Sequence, residues 1–158
     1  MSGRGAGRWT TELYEDRPDH HPIEAWFDSL TEAQFAALQA AITHRLEVEG
    51  LALARTPWLT PLGDGLYEFR IRHTAEEIAR MYADQGETPT NARVDILLRM
   101  FVHFYGDRVV LLMHGYDKGG DPSEKRQNRE IAEARRRLTA WKRARARAAK
   151  EQHRGRGR

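Results

Sequence analysis

The chain has 158 residues, enough for one domain with a real core and too few for two. It holds no cysteine, which excludes a disulfide framework and a thiolate metal site and allows a reducing cytoplasm. Its net charge of +3 hides an asymmetry: fourteen Lys and Arg stand against five Asp and Glu from Asp121 onward, and twelve against eighteen before it. A near-neutral to acidic body with a basic arm points to phosphate or to an acidic partner. No apolar run approaches the length of a membrane span. Residues 1–8 lack the apolar core of a signal peptide and read as a disordered tail.

Trp9 to Tyr14 has partial alternation and strong β formers, and reads as a strand. A turn follows over Asp16 to Pro22. Ile23 to Leu30 reads as a short helix with Ile23, Trp26, Phe27 and Leu30 on one side. Thr31 and Gln34 then form a capping box, with Leu30 and Phe35 placed as a hydrophobic staple. Phe35, Leu38, Ile42 and Leu46 recur at helical spacing, and Gly50 is a natural stop. Thr56 to Gly65 reads as turn chemistry throughout. Leu66 to Arg72 alternates strictly, so Tyr67, Phe69 and Ile71 face the core while Glu68, Arg70 and Arg72 point away. Residues 73–91 read as an inserted helix and loop, opened by a capping box of Thr74 and Glu77.

Val94 to Lys118 holds two apolar runs around Gly106-Asp107, the pattern of a hairpin with a two-residue turn. Counting outward from that turn sets Arg99 opposite His114. One face then carries Leu98, Met100, Val102, Val109, Leu111 and Met113. The other carries Arg99, Phe101, His103, Val110, Leu112, His114 and Tyr116. This second face, with Arg70 and Arg72 added from the preceding strand, forms a cationic groove suited to an anionic ligand.

Beyond Lys118, Asp121 reads as an N-cap, Pro122 as the first helical residue and Glu124 as the partner in a capping box. Ile131, Ala134, Leu138 and Trp141 give the last helix an apolar stripe. The stripe ends at Trp141, so residues 142–158 read as a basic helical extension that frays from Glu151 onward. The fold class is α+β: a small antiparallel sheet, two N-terminal helices on one face, and a long basic C-terminal helix.

The order of strand, two helices, G-L-Y-E-F-R-I from Gly65, an Arg-bearing strand, V-V-L-L-M-H-G-Y-D-K-G from Val109 and a charged helix resembles the RelE/ParE superfamily of bacterial toxins. It is most similar to the phage-derived, HigB-like branch, and the resemblance covers residues 9–141. It implies a cytoplasmic mRNA endonuclease that works with the ribosome, uses no cofactor or metal, and is held by a helix-turn-helix antitoxin. The basic positions of the family fall on Arg70, Arg72, Arg99 and Lys118. Members with well-defined chemistry also carry a basic residue at the position of Glu68, an arginine near Asp121 and a tyrosine near Gln127. This chain has none of those three.

Cleavage by the RNA's own 2′-OH requires a group that takes a proton, one that returns a proton to the leaving 5′ oxygen, and cations at the phosphate. Arg70 and Arg99 are the candidate phosphate clamps, because a guanidinium fork matches phosphate oxygens. His114 is the candidate acid or base and Tyr116 the stacking or orienting group. Arg72, Lys118, Lys125, Arg126 and Arg129 add RNA contacts. Arg99 within so apolar a strand needs an ion-pair partner, for which Glu68 and Asp95 are in reach. His20 and His21 lack convergent metal ligands. Two other readings use the same residues: a non-catalytic, ParE-like inhibitor of DNA gyrase, and a basic nucleic-acid-binding adaptor that does not cleave.

Overall fold

The computed structural model describes residues 7–74, 77, 80 and 95–156. Five stretches rich in β-branched and aromatic residues form strands: β1 (Thr10–Leu13), β2 (Leu59–Gly63), β3 (Leu66–His73), β4 (Ile96–Tyr105) and β5 (Val109–Asp117). They build one sheet in the order β1-β5-β4-β3-β2. Three neighbouring pairs are antiparallel, whereas β1 runs parallel to β5, so the sheet is mixed and not antiparallel throughout. The longer helices are α1 (Ile23–Ser29), α2 (Glu32–Ala41) and α3 (Glu124–Arg156), and short helical turns over residues 42–55 continue α2. The fold is α+β, and none of the described helices is long and apolar enough to cross a membrane.

α1 and α2 lie on one face of the sheet. Ile23, Ala33, Ala37, Leu38 and Leu46 bury there against Phe69, Ile71, Leu98, Met100, Val102, Val110 and Leu112. The capping box of Thr31 and Gln34 starts α2 as the sequence predicts. The buried stripe is turned toward Ala33, Ala37 and Ala41, while Phe35 and Ile42 stay half-exposed. Alanines at fourfold spacing let the helix backbone approach the sheet closely, which outweighs their small individual burial. A close approach also explains Gly115 in β5, where a Cβ would sit 2.3 Å from the Trp26 ring of α1.

α3 covers the opposite face. Ala134 and Leu138 bury against Leu66, Phe101, Leu111, Met113 and Tyr116, with Ile131 and Trp141 packed beside them. The predicted apolar stripe of this helix is therefore correct, and it closes much of the face expected to be an open groove. Asp121 and Ser123 share the cap: Asp121 Oδ1 accepts from Ser123 N, and Ser123 Oγ accepts from Arg126 N at 3.1 Å. Helical residues thus begin at Glu124 and not at Pro122.

The segment read as turns throughout contains β2. Pro61 is tolerated there because β2 is an edge strand, whose outer side makes no ladder. Asp64 and Gly65 take φ of 55° and 85° and close the β2–β3 hairpin with a two-residue turn.

The β4–β5 hairpin departs from the predicted register twice. Its loop has three residues, Gly106 to Arg108, with Tyr105 opposite Val109. Arg108 at φ 60° ends the loop. A bulge between Phe101 and Val102 then sets Phe101 opposite His114 and Arg99 opposite Tyr116, not His114. Each one-residue shift reverses the faces of β5. Val110 and Leu112 thereby join the α1–α2 core, and Leu111 and Met113 the α3 side. The bulge restores His114 and Tyr116 to the face of Arg99.

The ends also differ from expectation. Arg8 is tied down, its Nη2 2.9 Å from Glu47 Oε1, while residues 1–6 of the expected tail lie outside the described residues. α3 stays helical through Arg156, past the expected fraying point. Most of the expected insertion over residues 73–91 lies outside the described residues; within it, Thr74 Oγ1 accepts from Glu77 N at 3.2 Å.

Candidate functional site

The sheet register places the candidate residues in rows across three strands. Arg70, Arg99 and Tyr116 form one row, and Glu68, Phe101 and His114 the next. Two arginines directly opposite each other repel. Glu68, one row along and fully buried, offsets that repulsion: its Oε1 is 3.0 Å from Arg70 Nε and 3.6 Å from Arg99 Nε. Glu68 is thus an ion-pair partner of Arg99. Glu68 therefore does not sit on a solvated face, although strict alternation does turn it away from the α1–α2 core.

α3 completes the enclosure of Glu68. Gln127 Nε2 donates to Glu68 Oε2 at 3.3 Å. The Arg126 guanidinium lies 5.2 Å from the centre of the Tyr116 ring, with its Nε 3.3 Å from Glu130. The rings of His114 and Tyr116 each stack on Phe101, at 5.9 and 6.2 Å. His114 Nε2 faces Glu130 Oε1 at 3.5 Å. Burial, and the nearby Arg137, hold the His114 imidazolium below its ordinary pKa. Tyr116 is 1 % exposed and its hydroxyl lacks a hydrogen-bond partner among the described residues. Burial first, then Glu68, raises its pKa.

What remains open is a cleft of about 320 Å³ lined by Pro57, Trp58, Arg70, Arg72 and Arg99. Arg72 is exposed, Arg70 keeps 38 % of its side-chain surface, and Arg99 only 10 %. Lys118, half-buried just past β5, feels the same group: burial, then Arg99 and Arg70, depress its pKa, and Glu68 opposes them. Burial also lowers the pKa of Arg99, with Glu68 countering. Four cations against one carboxylate leave a net positive cleft. Arg70 and Arg72 reach solvent and fit an anion's oxygens, while Arg99 supplies charge from beneath.

The structure brings Arg70, Arg72 and Arg99 together at this cleft, with Lys118 near enough to feel Arg99 and Arg70. The structure separates His114 and Tyr116 from the cleft lining and sets them between sheet and helix. Arg126 is held inward over Tyr116, whereas Lys125 and Arg129 are exposed on α3. Trp58, inside the segment read as turns, stands half-buried at the cleft wall, stacked on Phe69 at 6.0 Å with Arg45 over its ring at 5.4 Å. The turn-rich segment around it concealed this role, because only β2 brings Trp58 beside Arg70, whose backbone N–H donates to the Trp58 carbonyl at 2.7 Å. Among the described residues no group of three or more His, Asp or Glu is placed to hold a metal ion. His20 and His21 contact Asp16, Glu15 and Glu24 instead. The chain matches no protein-family model, and no curated relative of it was found.

Proposed function

We propose that the chain is the toxin of a type II toxin–antitoxin pair, a cytoplasmic endonuclease that cuts mRNA at the Arg70–Arg72–Arg99–Lys118 cleft, with the ribosome presenting the message and a helix-turn-helix antitoxin as its restraint. The observation that carries this reading is the convergence of Arg70, Arg72 and Arg99 beside Trp58, with Lys118 near enough to feel Arg99 and Arg70. The 2′-OH of the RNA attacks the adjacent phosphorus. A new P–O2′ bond forms as the P–O5′ bond breaks, leaving a 2′,3′-cyclic phosphate and a 5′-OH. Arg70 and Arg72 clamp the non-bridging oxygens, and Arg99 stabilises the charge that builds on them. Lys118, with its depressed pKa, takes the 2′-OH proton, a role better suited to it than to His114 beneath α3, and water entering the open cleft protonates the leaving 5′ oxygen.

Primer extension on message in a translating extract, with EDTA present, tests the reading. The expected products carry cyclic phosphate and 5′-OH ends, and a 2′-deoxy nucleotide at the cut site blocks the reaction. Arg99→Ala should slow cleavage about a hundred- to a thousand-fold. Uncut message alongside growth arrest would overturn the reading and favour a gyrase-directed inhibitor.

Glu68 favours a second reading. A buried carboxylate where a clamp could have stood weakens the cleft's grip on phosphate. The same cleft would then bind RNA without cutting it. That reading expects wild-type protein to protect message in the extract.

A further inference from the structure

The cations of α3 fall into two sets. Arg126, Arg135, Arg137, Lys142 and Arg145 contact the rest of the fold: Arg126 lies over Tyr116, Arg135 reaches the carbonyls of Gly63 and Leu62, Arg137 that of Met113, Lys142 that of Asp64, and Arg145 lies over Tyr105. A second set is exposed along the whole helix: Lys125, Arg129, Arg136, Arg143, Arg147, Lys150 and Arg154. At 3.6 residues per turn these seven lie within an arc of about 60°, opposite the stripe of Ile131, Ala134, Leu138 and Trp141. Among the helix's described residues, no Asp or Glu falls in that arc. Arg136 is paired with Glu133, which stands outside the arc, 2.5 Å away. From Lys125 to Arg154 the line runs roughly 45 Å. Midway, Ala132, Thr139 and Ala140 leave a shallow notch between Arg136 and Arg143.

We propose that this line is a second binding site, distinct from the cleft, that docks the phosphodiester backbone of a nucleic-acid duplex without regard to sequence. A duplex carries a charge about every 1.7 Å of its axis on two winding strands, so a line of cations laid across it meets backbone phosphates whatever the base sequence. An acidic protein would have to match its carboxylates to this spacing residue by residue. The small-residue notch lets a backbone ridge come close to the helix, with arginines on both sides. A rigid helix and a rigid duplex also lose little conformational freedom on meeting.

The test uses the full chain and a fluorescein-labelled 20-base-pair RNA duplex of mixed sequence, followed by anisotropy at stepped KCl. The fourfold variant R143Q/R147Q/K150Q/R154Q should keep its helical circular dichroism. Its slope of log affinity against log salt should be shallower by about 3 to 4, one counterion set per lost phosphate contact. The charge-keeping variant R143K/R147K/R154K should bind like wild type. Arg99→Ala, which disables the proposed cleavage cleft, should bind the duplex normally, so failure of the cleft and failure of this site are told apart. A DNA duplex of the same sequence shows whether phosphate alone or the RNA form is read. An unchanged slope in the fourfold variant overturns the proposal, as does polyglutamate competing as well as duplex at equal charge.

Discussion

Glu68 of β3 and Gln127 of α3 meet at 3.3 Å, and both stand where the resembled family carries other residues. The two departures from its pattern are therefore one contact, with Arg70 and Arg99 on the carboxylate's other side. Removing one member of a buried charged group leaves its partners unpaired in a low dielectric. Glu68→Ala should cost about 3 to 5 kcal/mol, and Glu68→Gln, which keeps an acceptor for Arg99, less. Urea unfolding gives both numbers. Both variants should bind inorganic phosphate more tightly, since the cleft loses its one carboxylate. Unchanged stability in Glu68→Ala would mean that the pair is not enclosed as described.

Arg137 holds the bulge. Its Nη1 donates to the Met113 carbonyl at 2.6 Å, and its Nε to Glu133 at 2.8 Å. The bulge is what returns His114 and Tyr116 to the face of Arg99, so Arg137 acts on the site through the backbone. Arg137→Met keeps the stem and loses the charged hydrogen bond, at a cost of about 1.5 to 3 kcal/mol. Amide exchange at Met113 and His114 should accelerate more than exchange in β3. Uniform acceleration would make Arg137 a general contact of α3 and not a support of the bulge.

Much of this fold was legible because its signals were local. The Thr31–Gln34 box, the alternation of β3 and the stripe ending at Trp141 each reside in a few neighbouring residues. The hairpin register was not legible, since Gly106-Asp107 fits a two-residue turn as well as the first part of the three-residue loop. Arg108, a residue without special freedom at φ 60°, gave no signal. The bulge at Met113 rests on Arg137, 24 residues further on, and no local pattern encodes it. The gathering of Arg70, Arg72 and Arg99 survived because it rests on the β3–β4 pairing alone, while His114 and Tyr116 stayed on the face of Arg99 because the two β5 register shifts cancel in parity. The covering of His114 did not follow from alternation, because alternation assigns a side chain to a face and says nothing of what packs upon that face.

The basic extension should be separable from the fold. Past Trp141 its contacts are few: Lys142 donates to the Asp64 carbonyl at 3.0 Å, and Arg145 lies over the rings of Tyr105 and Trp141 at 4.5 and 5.3 Å. An exposed cation–ring contact contributes about 0.5 to 1 kcal/mol. Deleting residues 142–158 should therefore lower stability by about 1 to 2 kcal/mol while the cooperative transition persists. Loss of that transition would show a helix end that the sheet needs.

His114 should make stability depend on pH. The imidazole is buried between Phe101 and Glu130, with Arg137 and Glu133 also near, and its folded pKa lies below the ordinary 6.5. The unfolded chain thus takes up a proton more readily than the folded one. The stabilisation is fully present above about pH 6.5 and is lost as pH falls from there through the folded value. Urea midpoints from pH 8 to pH 5 should fall more steeply for wild type than for His114→Gln. Parallel curves would assign the acid sensitivity elsewhere.

Lys118 should set the pH dependence of cleavage. A lysine acts as a base only when neutral, and burial together with Arg99 and Arg70 lowers its pKa from 10.5. Cleavage should rise with pH along a limb that ends below that ordinary value. Lys118→Ala should lose about a hundred- to ten-thousand-fold in rate. Lys118→Arg, which keeps charge but stays protonated, should not restore it. Removing a neighbouring cation supplies the sharper test. Arg99→Gln takes away the largest repulsion on the Lys118 ammonium, so the limb should move to higher pH whatever happens to its height. A limb that keeps its position in Arg99→Gln, or survives in Lys118→Arg, would take the proton-transfer role from Lys118.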